Sequence, residues 1–170
     1  MNREIYLAGG CFWGLQRAMS VLDGVLETEC GYANGDPHFI PDYMLVCSGR
    51  YGYREVVRVE YDPDRIPLER ILWAFFFVID PTQERRQGND RGIQYQTGVY
   101  WTDDDTARRV SAYMGEEAGR HPEFHTESGP LTQYSPAEAY HQGYLDSNPG
   151  GYCHIPSAKI DALYRLSHGL

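Results

Sequence analysis

A chain of 170 residues with 42% hydrophobic residues suits one globular domain able to bury a real core, and a formal net charge of −9 speaks against nucleic acid or an anionic membrane surface as partner. The most apolar stretch, residues 71–79, is too short to span a bilayer, and Met1-Asn2-Arg3-Glu4 runs straight into the first strand with nothing like a signal peptide. Four cysteines at irregular positions (11, 30, 47 and 153), with no CxxC pair, fit neither a secreted disulfide framework nor a structural zinc site, so a reduced, cytoplasmic, soluble chain is expected.

Residues 4–8 read as a strand. Gly9 and Gly10 supply a tight turn, and Leu15, Ala18, Met19 and Leu22 then recur at helical spacing. Residues 24–32 read as a second strand entering the loop Ala33-Asn34-Gly35-Asp36-Pro37. Residues 38–52, broken by Pro41 and Gly49, read as irregular. Residues 54–61 are the clearest strand: Glu55, Val57, Val59 and Tyr61 share one face, Arg54, Val56, Arg58 and Glu60 the other. Pro67 suits the first position of a helix whose buried stripe is Leu68, Ile71, Leu72, Phe75 and Ile79, stopped by Asp80-Pro81. A polar loop spans 82–92, and 95–101 alternates as a strand. Thr102 is placed to cap a helix opening on Asp103, Asp104 and Asp105 and ending over 115–119. Ser135-Pro136-Ala137-Glu138 matches a capping box for a helix through Asp146, and Asn148-Pro149-Gly150-Gly151 ends it. A few strands separated by helices predict an α+β, two-layer domain over residues 1–170, without fixing the strand order.

Three residues carry chemistry. Cys11, in Gly10-Cys11-Phe12-Trp13-Gly14, falls at the first turn of a helix, where free amides and the macrodipole favour a thiolate and hence a nucleophile. The bland alternative is a small buried hydrophobe. Glu55 opens a strand on its core-facing side, where desolvation favours the protonated form and makes it a general acid; the alternative leaves its head in water at the strand end. Cys153, in the glycine-rich segment that follows Asn148-Pro149-Gly150-Gly151, has the reach to condense with a sulfenic acid. Cys47 competes for that role, although Leu45 and Val46 suggest burial, and Cys30 reads as packing. His121 and His125 have helical ligand spacing, but Pro122 separates them and HExxH is absent, so a metal site is not expected.

Together these residues resemble the methionine sulfoxide reductase A family. Ala8-Gly9-Gly10-Cys11-Phe12-Trp13-Gly14 is similar to its signature, followed by Gly31-Tyr32, then Tyr43 with Val46-Cys47-Ser48-Gly49, then Glu55-Val56-Val57 and Tyr61-Asp62-Pro63. Asp80-Pro81-Thr82, Arg86-Gln87-Gly88-Asn89-Asp90, Gln94-Tyr95, His141-Gln142 with Tyr144-Leu145, Asn148-Pro149-Gly150 and Gly151-Tyr152-Cys153 complete the run across residues 5–155. Tyr53 stands where the family usually has a His, and Asn34 where a glycine is frequent.

The resemblance implies a ferredoxin-like mixed sheet with helices packed on it and long coil segments. It implies reduction of methionine (S)-S-oxide, free or in proteins, without metal or organic cofactor. Cys11 is the implied nucleophile, Glu55 the acid, Tyr43 and Tyr95 the donors around the sulfoxide oxygen, and Asp90 a support. Phe12, Trp13 and Gly10 would hold the substrate, and Cys153 would close a disulfide recycled by thioredoxin. A monomer is expected. The residues themselves leave one other reading open, a cysteine-nucleophile hydrolase or acyltransferase using Cys11 with His141 or His154 as base.

Overall fold

The computed structural model describes residues 1–170. Its chain runs β1 (Arg3–Ala8), α1 (Phe12–Ser20), β2 (Val25–Ala33), α2 (Tyr43–Cys47), β3 (Arg54–Tyr61), α3 (Leu68–Val78), β4 (Arg86–Gln87), β5 (Asp90–Arg91), β6 (Gly98–Trp101), α4 (Asp104–Ala118), β7 (Glu127–Pro130), β8 (Tyr134–Pro136), α5 (Tyr144–Ser147) and α6 (Ser157–Ser167). Six strands form one sheet in the order β7-β6-β1-β3-β2-β8, antiparallel except for the β6–β7 pair. The inner order β6-β1-β3-β2, with α1 between β1 and β2 and α3 between β3 and β6, is the ferredoxin-like, two-layer mixed sheet that the resemblance implies. No helix is long and apolar enough to cross a membrane.

Alternation explains the layers. Ile5 and Leu7 of β1 point with Val57, Val59 and Tyr61 of β3 into the main core, where they meet Leu15, Ala18 and Met19 of α1 and Ile71, Leu72 and Phe75 of α3. The opposite face carries a smaller cluster of Tyr6, Ala8, Ala33, Val56 and Tyr100, closed by Tyr134 packing edge-on to Tyr6. Arg58, also on that face, is held by Glu4, Glu27 and Glu29.

Several local expectations are displaced. Pro67 sits one residue outside its helix as the N-cap, in extended conformation, rather than as the first helical residue. Asp103, not Thr102, caps α4, because its carboxylate accepts from the Thr106 amide at 2.8 Å. Tyr95 is not on a strand: it ends a short 3-10 turn, Ile93–Tyr95, and pairing starts only at Gly98. The segment 38–52 contains α2, capped by Asp42 accepting from the Leu45 amide. Ser135 and Pro136 open no helix. They pair with Tyr32 and Gly31 as an edge strand, and only the short Ala139–His141 turn and α5 follow. Glu138 is consequently free for another use.

Candidate active site

Cys11 is the N-cap of α1, reached through a left-handed turn at Gly10 (φ +80°). The turn needs glycine twice over, since a Cβ there would also stand 2.8 Å from Gln87 Cβ and 2.9 Å from His154 Nε2. The Cys11 sulfur faces the amides of Trp13 and Gly14, which favour its ionised form. They do not win. Cys11 is only 8% exposed, and burial, followed by the charge of Glu55, pushes its thiol well above the usual range. The expected helix-terminus thiolate is therefore a neutral thiol, because desolvation outweighs two amide dipoles.

Glu55 behaves as the face pattern predicts. It extends the core-facing row of β3 and is 2% exposed, with Oε1 accepting from the Phe12 amide at 3.1 Å. Burial raises its carboxyl to about 8; the Phe12 amide opposes this and Asp90 adds to it. Cys11 and Glu55 thus meet at one point, the end of β3 lying under the first turn of α1.

The remaining residues close around that point. Tyr43, on α2, and Tyr95 are half-buried, and burial pushes both phenols up, with Glu55 and Cys11 contributing to each. Asp90 adds to the upward shifts of Cys11, Glu55 and Tyr95, and its Oδ2 is buried without a hydrogen-bond partner. Tyr152, given no role by the sequence reading, is raised to about 12, mainly by burial, with Asp90 beside it adding to the shift. Phe12 is buried and Trp13 half-buried. Trp13 lies flat on Tyr144 at 3.8 Å between ring centroids, and its Nε1 donates to His141 Nδ1 at 3.1 Å. His141 is the hub of this aromatic wall, within 5.1 Å of the Phe12 ring and 4.8 Å of the Tyr43 ring.

Glu138 positions Tyr43. Its Oε2 accepts from the Tyr43 amide and its Oε1 from the Tyr32 hydroxyl, and these bonds hold its carboxyl below the usual range against the opposing effect of burial. The same letters that suggest a capping box hid this role. Tyr53, in the place of the usual His, donates its hydroxyl to the carbonyls of Asp36 and Phe39 and pins the loop between β2 and α2.

Cys153 is partly exposed, and its thiol donates to the Ile155 carbonyl at 3.2 Å. It overhangs α1: a Cβ on Gly14 would stand 3.0 Å from its sulfur. Cys47 is exposed rather than buried, since only Val46 of its helix turns inward. Cys30 is fully buried against Gln16 Oε1 and the Phe12 carbonyl. His121 bonds Glu117, and His125 faces Glu84 and Glu123. A surface hollow of about 480 Å³ beside α3 and α4 shares no lining residue with the site.

Residues 3–167 match the family model described as peptide methionine sulfoxide reductase. A relative named peptide methionine sulfoxide reductase MsrA from Clostridium botulinum is 47% identical over 155 residues, covering 90% of this chain and 98% of that protein. Mxr1 from Saccharomyces cerevisiae in reduced form superposes with a TM-score of 0.87 at 33% identity, covering 91% of each chain. Methionine sulfoxide reductase A of Corynebacterium diphtheriae superposes with a TM-score of 0.81 at 33% identity, covering 91% of this chain and 83% of its own. With the sheet order, the Cys11 turn and the Glu55 pocket all in place, the chain belongs to the peptide methionine sulfoxide reductase family.

Proposed function

We propose that this chain reduces methionine (S)-S-oxide, free or within proteins, to methionine. The observation that carries the reading is a buried carboxyl, Glu55, bonded to the amide next to Cys11, where burial raises it to about 8 and favours the neutral form. A sulfoxide oxygen leaves sulfur only once protonated, so such a pair supplies what the reaction lacks in water. Phe12 and Trp13 wall the substrate methyl group, and Gly10 keeps the turn beneath them free of a side chain. The hydroxyls of Tyr43 and Tyr95 donate to the oxygen as negative charge builds on it, and Asp90 with Tyr152 supports the substrate end of the site.

Cys11 sulfur attacks the substrate sulfur while Glu55 protonates the oxygen and the carboxylate left behind takes up the thiol's proton; the hydroxyl then passes from the substrate sulfur to Cys11 as the bond between the two sulfurs breaks and methionine leaves. The sum is Cys11–SH plus sulfoxide giving Cys11–SOH plus thioether, with protons balanced. Cys153 then attacks the sulfenic sulfur, the S–O bond breaks, and water leaves as the Cys11–Cys153 disulfide forms. A thioredoxin-type dithiol reduces that disulfide by exchange at the partly exposed Cys153. Residues 1–170 work as one catalytic domain, a reading supported by a family match that runs from 3 to 167. Four unpaired cysteines suit a reducing compartment, which we take to be the cytoplasm.

The hydrolase reading fares worse. His141 Nδ1 accepts from the Trp13 indole, so the ring proton sits on Nε2 and His141 has no free basic nitrogen to offer. The deciding experiment supplies both sulfoxide epimers of a labelled methionine peptide together with dithiothreitol. Only the S epimer is consumed, one dithiol is oxidised per methionine, and Cys11→Ser abolishes both. Turnover without loss of reductant, or turnover by Cys11→Ser, refutes the assignment.

A further inference from the structure

The residue after the resolving cysteine has no part in the chemistry above, yet the first turn of α1 is shaped around it. His154 Nε2 bonds the Gly9 carbonyl at 2.9 Å, which makes that nitrogen the donor and leaves Nδ1 without a proton. Nδ1 is buried and has no partner, and burial lowers the affinity of the ring for a second proton. The ring lies across the turn that carries Cys11. A Cβ on Gly10 would meet Nε2 at 2.9 Å, and a Cβ on Gly14 would meet Nδ1 at 3.2 Å and Cε1 at 3.3 Å. That same point beside Gly14 is 3.0 Å from Cys153 Sγ. Two glycines, one before and one after Cys11, therefore clear a seat for the imidazole, and the second also clears the place of the thiol. The chain leading in has little else to hold it, since 148–150 is exposed and two glycines precede Tyr152.

We propose that His154 is a positioning residue for the second half-reaction. By docking on the Gly9 carbonyl it holds the Cys153 sulfur over the first turn of α1, so that the Cys11 sulfenic acid meets a thiol before it meets solvent or oxidant. The inference rests on Cys153 being the resolving thiol. The step it assists is balanced as written above: the S–S bond forms, the S–O bond breaks, and the hydroxyl leaves as water with the proton of the Cys153 thiol. Holding the thiol in place raises its effective concentration at the sulfenic sulfur without altering the first half-reaction. One hydrogen bond and an unpaired Nδ1 make a weak dock. It releases when the disulfide has to be offered to a reductant.

The test uses the full chain, pre-reduced and freed of dithiol, given one equivalent of methionine (S)-sulfoxide. Methionine formed reports the first half-reaction, and loss of free thiol with intact mass reports the second. In His154→Ala methionine appears at the wild-type rate, while disulfide formation slows by about tenfold or more and a species about 16 Da heavier accumulates. His154→Gln, whose amide nitrogen reaches the same carbonyl, recovers most of the lost rate. Disulfide formation at the wild-type rate in His154→Ala overturns the inference, and so does an equal slowing of both half-reactions with a lowered Tm, which marks a merely structural ring. Cys153→Ser, run in parallel, separates the two levels of the argument. If it stalls as the sulfenic acid while His154→Ala does not, the dock alone is wrong; if it still closes a disulfide, the resolving assignment fails and the dock with it.

Discussion

Glu55 holds its proton because water has been taken from it, and that desolvation acts on both stability and chemistry. Its carboxyl, ordinarily near 4.5, stands at about 8 in the folded chain, so folding favours the neutral form. The sign follows from linkage. The group contributes fully below the unfolded value, and the contribution is lost as pH rises from there through about 8. The loss is bounded at roughly 5 kcal/mol. Glu55→Gln keeps the shape and the acceptor for the Phe12 amide but cannot ionise. Its Tm should match wild type near pH 4 and exceed it increasingly up to about pH 8, in thermal scans across that range. The same variant lacks an acid for the sulfoxide oxygen, so single-turnover methionine formation should fall by about 10²–10⁴. A variant that is less stable at high pH, or that turns over normally, contradicts the buried-acid role. Cys11 and Glu55 were legible as residues because a turn-to-helix junction and a two-residue period each specify an environment. Asp90, Tyr43 and Tyr95 come only from the family resemblance, because they converge from a two-residue strand, a short helix and a 3-10 turn with no shared periodicity. The ionisation state of Cys11 departs from the local expectation for a related reason: burial depends on the whole fold, while the amides at a helix terminus are local.

At the level of elements, strong periodic segments came through and edges did not. β3 is placed to the residue and α3 to within one, since each buries a continuous stripe. β7 and β8 are short edge strands, and β8 contains a proline, so neither has an alternation long enough to register. Ser135 to Glu138 satisfied a helix-start rule that tertiary pairing overrides, because Ser135 and Pro136 complete the open edge of β2. That edge depends on a turn at Asn34, the residue occupying a place where the family often has glycine. Asn34 is left-handed at φ +57°, and its Oδ1 accepts from the Thr132 amide at 2.8 Å and the Thr132 hydroxyl at 3.0 Å, while Nδ2 donates to the Pro130 carbonyl. The side chain thus ties β2 to the segment joining β7 and β8. Asn34→Gly keeps the backbone at ease but drops these bonds, whereas Asn34→Ala drops them and adds left-handed strain. Ala should therefore cost about 1–2 kcal/mol more than Gly, measured by urea denaturation with unchanged m. Equal stabilities would mean that the turn carries no strain.

Across the whole molecule, reaction and recycling ask for opposite properties, and the fold separates them. Cys11 and Glu55 rest on β1, α1 and β3, whose side chains form the main core. Cys153 belongs to a strap between two fixed points. At one end the Gln142 side chain replaces a strand partner for Cys30, bonding both its amide and its carbonyl at 2.8 Å. At the other, Ile155 is buried and α6 packs Ile160 and Leu163 into the core. Between these points lie the four-residue α5, an exposed Asn148-Pro149-Gly150 stretch and the His154 dock. Closing and reopening a disulfide should then move the strap and leave the scaffold in place. Hydrogen exchange read by mass spectrometry should find the amides of β1 and β3 exchanging only by global opening, with those of 148–154 faster by several orders of magnitude. On oxidation to the Cys11–Cys153 disulfide, changes in protection should be confined to residues 143–155 and the first turn of α1. Deprotection spreading through β1 and β3 would show that the core itself yields during turnover, and the division between rigid acid and mobile thiol would have to be abandoned.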